Sequence, residues 1–208
     1  LTILNQEGGN ALIDIESGNV SIERNLIKAE TSDSNGWMPS LISCRNTSNV
    51  AIQNNTLIYK FNDIEFPGSN SIYVQNTATV DINNNIIYSN AADEWGPYGI
   101  SSYSENYDIS YNLVYGFAVN YAGVTGDLTG SNNNISTNPL FVDFTNGDFT
   151  LLENSPCIDG GDPESSLDPD GTISDLGCYP FTQDTSLPPR PTNLTINNLV
   201  TSLQLEWD

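Results

Sequence analysis

An asparagine returns at a near-constant interval inside stretches that otherwise read as strands. "VDINNNIIY" (80–88) recurs as "VSIERNLIK" (20–28), "VAIQNNTLI" (50–58) and "YDISYNLVY" (107–115). The last asparagine of each falls at Asn25, Asn55, Asn85 and Asn112, in steps of 30, 30 and 27 residues. Ile22, Ile52, Ile82 and Ile109 lie three positions before it, Val20, Val50, Val80 and Tyr107 five before, and Ile27, Leu57, Ile87 and Val114 two after. A second register lies upstream in "LIDIE", "LISCR", "SIYVQ" and "GISSY", where Ile13, Ile42, Ile72 and Ile100 correspond. Asparagine is disfavoured in strands because its amide competes for backbone hydrogen bonds. A fixed period of this length signals a solenoid.

Within each repeat the apolar positions alternate with period two, and no segment sustains a helical period. Short strands stacked on their copies roughly 4.8 Å away make a parallel β-helix. A leucine-rich repeat also uses an asparagine ladder, but this chain lacks the spaced leucines and a helical half. The expected fold is therefore all-β, a right-handed parallel β-helix with a C-terminal capping segment. Asn25, Asn55, Asn85 and Asn112 are expected at a corner, each bonded to its copy one coil away, which satisfies a turn that has no sheet partner. After Asn112 the repeat fades, and "DLTGSNNNISTN" aligns only through Leu128, Asn133 and Ile135.

The chain has 208 residues, 26 acidic and 5 basic, for a net charge of −21. That balance argues against nucleic acid and anionic membrane surfaces, which require a basic footprint. No apolar run approaches spanning length, so no membrane insertion is expected. With no histidine, a Ser-His-Asp triad and a His-bearing zinc site are excluded. Cys44 shares a column with Ile15 and Val74 and reads as a small buried hydrophobe. Cys157 and Cys178 fit either a disulfide or two free thiols. The chain begins mid-repeat without a methionine, as expected of a piece of a longer protein.

The stretch from Asn138 to Phe181 carries a more specific pattern. Asn138, Pro139, Leu140 and Phe141 form one element, and Gly147, Asp148 and Phe149 a second. Ser155, Pro156, Ile158, Asp159 and Gly161 follow, then Asp175, Gly177 and Tyr179. These residues resemble the terminal segment of secreted bacterial parallel β-helix proteins of the pectate-lyase-like superfamily, and the likeness spans residues 11–181. It implies the fold and a secreted or cell-surface location. It implies little about activity, because that scaffold carries lyases, hydrolases, epimerases and non-catalytic surface proteins. The expected division is 1–137 for the coils, 138–183 for the cap that covers the last coil, and 184–208 for a proline-bearing linker and a tail. In the tail, Leu194, Leu203, Leu205 and Trp207 resemble the start of a fibronectin type III domain, too short to bury a sandwich core.

Four longer corners, 28–40, 59–70, 88–99 and 115–127, carry Trp37, Phe61, Phe66, Trp95, Tyr98 and Tyr121 among Asp33, Asp63, Glu65, Asp93 and Glu94. Aromatic rings beside carboxylates suit a sugar chain, with ring faces for pyranoses and carboxylates for hydroxyls. Such aromatics also fold back to shield a coil. The candidate carbohydrate set is Trp37, Trp95, Tyr98, Asp63, Asp93 and Glu94. Neutral polysaccharide is the expected partner, since the net charge repels acidic polymers. Glycoside hydrolysis needs two facing carboxyls, and no motif fixes such a pair. Elimination needs a base, for which Lys28 and Lys60 are the candidates; Arg45 aligns with Glu16 as a surface pair. "DPDGTISD" offers Asp168, Asp170 and Asp175 either as calcium ligands or as ordinary turn residues. The function expected is a non-catalytic, carbohydrate-contacting module of a larger protein, the alternative being a fragment of a polysaccharide lyase or glycoside hydrolase.

Overall fold

The computed structural model describes residues 11–31, 39–61, 69–90, 97–123 and 125–183, and a strand pair at 195–199 and 202–206. The first coil contains β1 (Ala11–Ile15), β2 (Asn19–Glu23) and β3 (Leu26–Thr31), and the second β4 (Ser40–Arg45), β5 (Asn49–Gln53) and β6 (Thr56–Phe61). The third contains β7 (Asn70–Gln75), β8 (Thr79–Asn83) and β9 (Ile86–Ser89), and the fourth β10 (Tyr98–Tyr103), β11 (Tyr107–Ser110) and β12 (Leu113–Tyr115). β13 (Val119–Gly123) then begins another turn. Like strands pair with like in three sheets, β1-β4-β7-β10-β13, β2-β5-β8-β11 and β3-β6-β9-β12. Every pairing in these sheets is parallel and keeps the repeat register, as in Ile22↔Ile52, Ile52↔Ile82 and Ile109↔Ile82. This is a parallel β-helix.

Burial follows the predicted columns. Ile52, Ile82 and Ile109 are fully enclosed, as are Ile27, Leu57, Ile87 and Val114, and Ile42, Ile72 and Ile100 from the first sheet. Cys44 lies between Ile15 and Val74 in register and is buried.

The three consecutive asparagines have three different roles. Asn83 ends β8 and donates from Nδ2 to Asp81 at 2.6 Å. Asn84 turns the corner at φ 57°, the left-handed conformation that asparagine tolerates better than most residues. Asn85 is the ladder residue: its Nδ2 donates to Asn112 Oδ1 at 2.9 Å and to the carbonyls of Ile52 and Asn83. The Asn85 Oδ1 accepts from both the backbone N and the Nδ2 of Asn55. Asn25 donates to Asn55 in the same way.

The ladder has a fifth member at Asn134, whose Oδ1 accepts from Asn112 N and Nδ2. This corrects the alignment through Asn133 by one residue. Asn133 takes the left-handed corner position at φ 57°, and Ile135 bridges Leu113. The step from Asn112 to Asn134 is only 22 residues, so apolar spacing alone is ambiguous there. A second ladder fills the corner between the first and second sheets. Thr47 and Thr77 hydroxyls lie 2.8 Å apart, and Thr77 N donates to Ser104 Oγ.

The segment expected to cover the terminal coil lies along the flank of the solenoid, on the outer side of the third sheet. Its antiparallel strands β14 (Phe141–Asp143) and β15 (Asp148–Leu151) bring Phe141 and Phe144 against Tyr88. Further on, Cys157 and Leu176 close over Ile86 and Leu113 in a second core. Gly177 N donates to Asn84 O, Cys178 N to Thr56 Oγ1, and Asp162 N to Asn84 Oδ1. Gly177, at φ 91°, must be glycine: an added Cβ would lie 2.7 Å from Thr56 Oγ1 and 2.8 Å from Ile86. Cys157 and Cys178 are free thiols in this arrangement, not a disulfide. β16 (Thr195–Leu199) and β17 (Ser202–Glu206) form an antiparallel pair.

Removing a mid-ladder amide strands several buried partners at once. Asn85→Ala is expected to destabilise by roughly 2–5 kcal/mol, and Ile82→Ala by a similar amount through its cavity. Asn25→Ala, at the partly exposed end, is expected to cost about 1 kcal/mol. Urea unfolding of the three variants checks the ranking. Equal losses at Asn25 and Asn85 would rule out the ladder as the source.

Candidate functional site

Strand alternation puts Ile42 and Cys44 inside and Ser43 and Arg45 outside, and the same rule runs along the first sheet. Its outer face therefore carries Asp14, Glu16, Arg45, Tyr73, Ser101 and Tyr103. Arg45 Nη2 pairs with Asp14 at 2.9 Å and with Glu16 at 3.0 Å, the surface pair expected from register. The Tyr73 and Tyr103 rings lie 5.7 Å apart at 49°, and Tyr103 is 48% exposed. Tyr98, at the other end of β10, is 40% exposed. Beside it, a Cβ on Gly99 would lie 2.4 Å from Asn120 O, so the backbone carrying Tyr98 is packed tightly on the next coil. Ser101 Oγ donates to Asn70 Oδ1 and ties this face to the preceding coil.

Of the carbohydrate candidates, only Tyr98 falls where the structure can place it. Trp37, Asp63, Asp93, Glu94 and Trp95 lie outside the described residues, as do Asp33, Glu65 and Phe66. Two further loop aromatics prove to be core residues. Phe61 is buried 5.9 Å from Tyr59, and Tyr121 is buried in register with Ile100. Tyr73 and Tyr103 were missed, although their signal was present: each is an odd number of positions from an inward isoleucine, Ile72 or Ile100.

The base candidates occupy another face. Lys28 Nζ contacts Glu30 at 2.9 Å on the third sheet. Lys60 Nζ contacts Glu30 at 3.1 Å and Thr145 O at 2.8 Å, with the Phe144 ring centroid 6.0 Å away. Lys60 is tied to the C-terminal segment, and Lys28 shares the Glu30 carboxylate with it. On the second sheet Asp81 and Asp108 stand in register on adjacent coils. Burial and the Asp108 charge raise the Asp81 carboxyl against hydrogen bonds from Gln53 and Asn83. Both Asp81 oxygens are already acceptors, Oδ2 from Gln53 and Oδ1 from Asn83.

Asp168, Asp170 and Asp175 act as hydrogen-bond acceptors for the backbone around them. Asp168 Oδ2 accepts from Asp175 N, and Asp170 accepts from Thr172 and from Gln183 N. Asp175 accepts from Asp159 N at 2.7 Å and from Phe181 N at 2.6 Å. Both oxygens of Asp170 and of Asp175 accept a backbone N–H, and each of these carboxylate oxygens keeps a further lone pair. Among the described residues no three acidic or thiol groups converge as a metal site. The hydrogen bonds from Gln183 and Thr172 lower the Asp170 carboxyl. Burial pushes Asp175 up to about 6, and its two amide donors only partly offset this.

No protein family, no curated protein and no solved structure matches this chain.

Two outcomes follow from the carboxylates. The melting temperature is expected to be the same in chelator and in millimolar calcium; a calcium-dependent rise that Asp170→Ala abolishes would restore the metal site. Because the folded state holds the Asp175 proton more tightly, its contribution is present below pH 3.8 and lost as pH rises through about 6. Asp175→Asn is expected to flatten that part of the stability–pH curve. A slope unchanged in the variant would assign it to other groups.

Proposed function

We propose that this chain is a non-catalytic, extracellular β-helix module of a larger secreted or surface protein, and that it contacts neutral polysaccharide through the outer face of its first sheet. The observation that carries this reading is the Tyr73–Tyr103 ring pair on that face, in which Tyr103 is exposed and Tyr73 half-buried. Ring faces held on a rigid sheet suit a linear sugar chain, which presents flat apolar faces and hydroxyl edges in alternation. Asp14, Glu16 and Arg45 supply hydrogen-bonding groups on the same face.

The net charge of −21 favours a neutral polymer over pectate or alginate. The resemblance to pectate-lyase-like proteins supports a secreted scaffold, and the fibronectin-like start of the tail supports a modular parent. Lys28 and Lys60 are engaged with Glu30, which favours binding over elimination.

Titration against neutral polysaccharides is expected to show binding that weakens at least about tenfold in Tyr103→Ala and in Tyr73→Ala. Unchanged affinity in both variants would remove this face from the proposal. Unsaturated uronate products released from an acidic polymer, and lost in Lys60→Ala, would replace the module with a lyase.

A further inference from the structure

The turn between β14 and β15 contains an Asn-Gly pair, Asn146–Gly147. Glycine after asparagine leaves the following backbone nitrogen without a flanking side chain, the condition under which that nitrogen attacks the asparagine amide most readily. Here Asn146 is exposed, and Gly147 sits at φ 84°. A Cβ built on Gly147 would meet nothing within 4 Å, so the glycine Cα faces open space. One hydrogen bond, Gly147 N to Phe144 O at 3.2 Å, holds that nitrogen in the folded turn.

We propose that Asn146 is a modification site at which this turn deamidates spontaneously. A base removes the Gly147 amide proton and the nitrogen bonds to Asn146 Cγ. The Nδ2–Cγ bond breaks, and the side-chain nitrogen departs as ammonia. Water then opens the resulting succinimide to aspartate or isoaspartate, so the net exchange is an amide and water for a carboxylate and ammonium.

The position of the site gives the change a structural consequence. Asn146 Nδ2 now donates to Asp143 Oδ2 at 2.7 Å, and Asn146 N donates to Asp143 Oδ1 at 3.1 Å. Deamidation replaces the first donor with a second carboxylate facing Asp143, and isoaspartate also adds a backbone atom to the turn. The same turn supplies Thr145 O to Lys60 and presses Phe144 on Tyr88, with ring centroids 5.0 Å apart. Repulsion at the tip therefore loosens the hairpin from the flank that it covers.

The test incubates the full chain in mildly alkaline buffer and locates each one-unit mass gain by fragmentation of the intact protein. The other Asn-Gly pair, Asn35–Gly36, serves as an internal clock. The expected result is a gain at Asn146 that is absent in Asn146→Gln. An Asn146 that stays intact after Asn35 has converted fully would overturn the proposal. Asn146→Asp is made separately to read the consequence. Two facing carboxylates hold a proton more tightly in the folded state, so the stability deficit of the variant should grow from acid to neutral pH. Asn146→Ala loses the same hydrogen bond to Asp143 without adding a charge, and a deficit in Asn146→Asp no larger than that of Asn146→Ala at neutral pH would overturn the repulsive consequence.

Discussion

Everything in this solenoid depends on an amide that can donate and accept along the same axis. A parallel coil must turn between strands without a sheet to pair its corner, and buried backbone groups left unpaired there would each cost about 1–3 kcal/mol. Asparagine meets the requirement because Oδ1 accepts from the copy below while Nδ2 donates to the copy above. At Asn55 and Asn85 the side chain also closes onto carbonyls of its own coil and of the preceding one. That bonding fixes which coil sits on which and holds the isoleucine columns in register. A one-residue slip would reverse the faces and carry Ile52 or Ile82 outward.

The three outer faces are then free to differ, and they do. On the third sheet the outward positions Ile86 and Leu113 are apolar and pack with Cys157 and Leu176 of the C-terminal segment. On the second sheet they include Asp81 and Asp108. The first sheet presents tyrosines and the Asp14–Arg45–Glu16 group to solvent. The covered face cannot bind a ligand without losing its cover, and like charges in register on the second disfavour anionic partners. On the proposed reading, the first sheet is the face left open to a neutral polyhydroxylated chain.

The parts legible in the sequence are those that repeat. Asn25, Asn55, Asn85 and Asn112 announce the ladder because identical side chains must stack, and Ile22 to Ile109 mark the core for the same reason. Legibility fails where the period breaks: the coil that ends in Asn134 is shortened, and the column of Thr47, Thr77 and Ser104 mixes two residue types. The flank packing rests on contacts such as Cys178 to Thr56, separated by 122 residues, and no local pattern encodes these. "DPDGTISD" was ambiguous for a related reason. Its carboxylates are spaced for oxygen ligation, but whether a cation or an amide reaches them depends on where Asp159, Phe181 and Gln183 arrive. Tyr73 and Tyr103 are legible by alternation, each at an odd offset from an inward isoleucine.

The scarcity of cations explains how the remaining carboxylates are used. With 5 basic residues against 26 acidic ones, most carboxylates cannot be neutralised by an ion pair. Lys28 and Lys60 converge on Glu30, and Arg45 holds Asp14 and Glu16. The buried carboxylates Asp168 and Asp175 are instead satisfied by backbone N–H groups. An amide donor supplies partial charge without a counter-ion, so it offsets desolvation incompletely, and the Asp175 carboxyl stays high even with two such donors. The C-terminal segment is thus held by acceptors that are costly to ionise where they sit. Acid that protonates Asp175 should stabilise the segment's own fold, where that carboxyl meets Asp159 and Phe181, while the asparagine ladder, which has no titrating group, remains indifferent to pH.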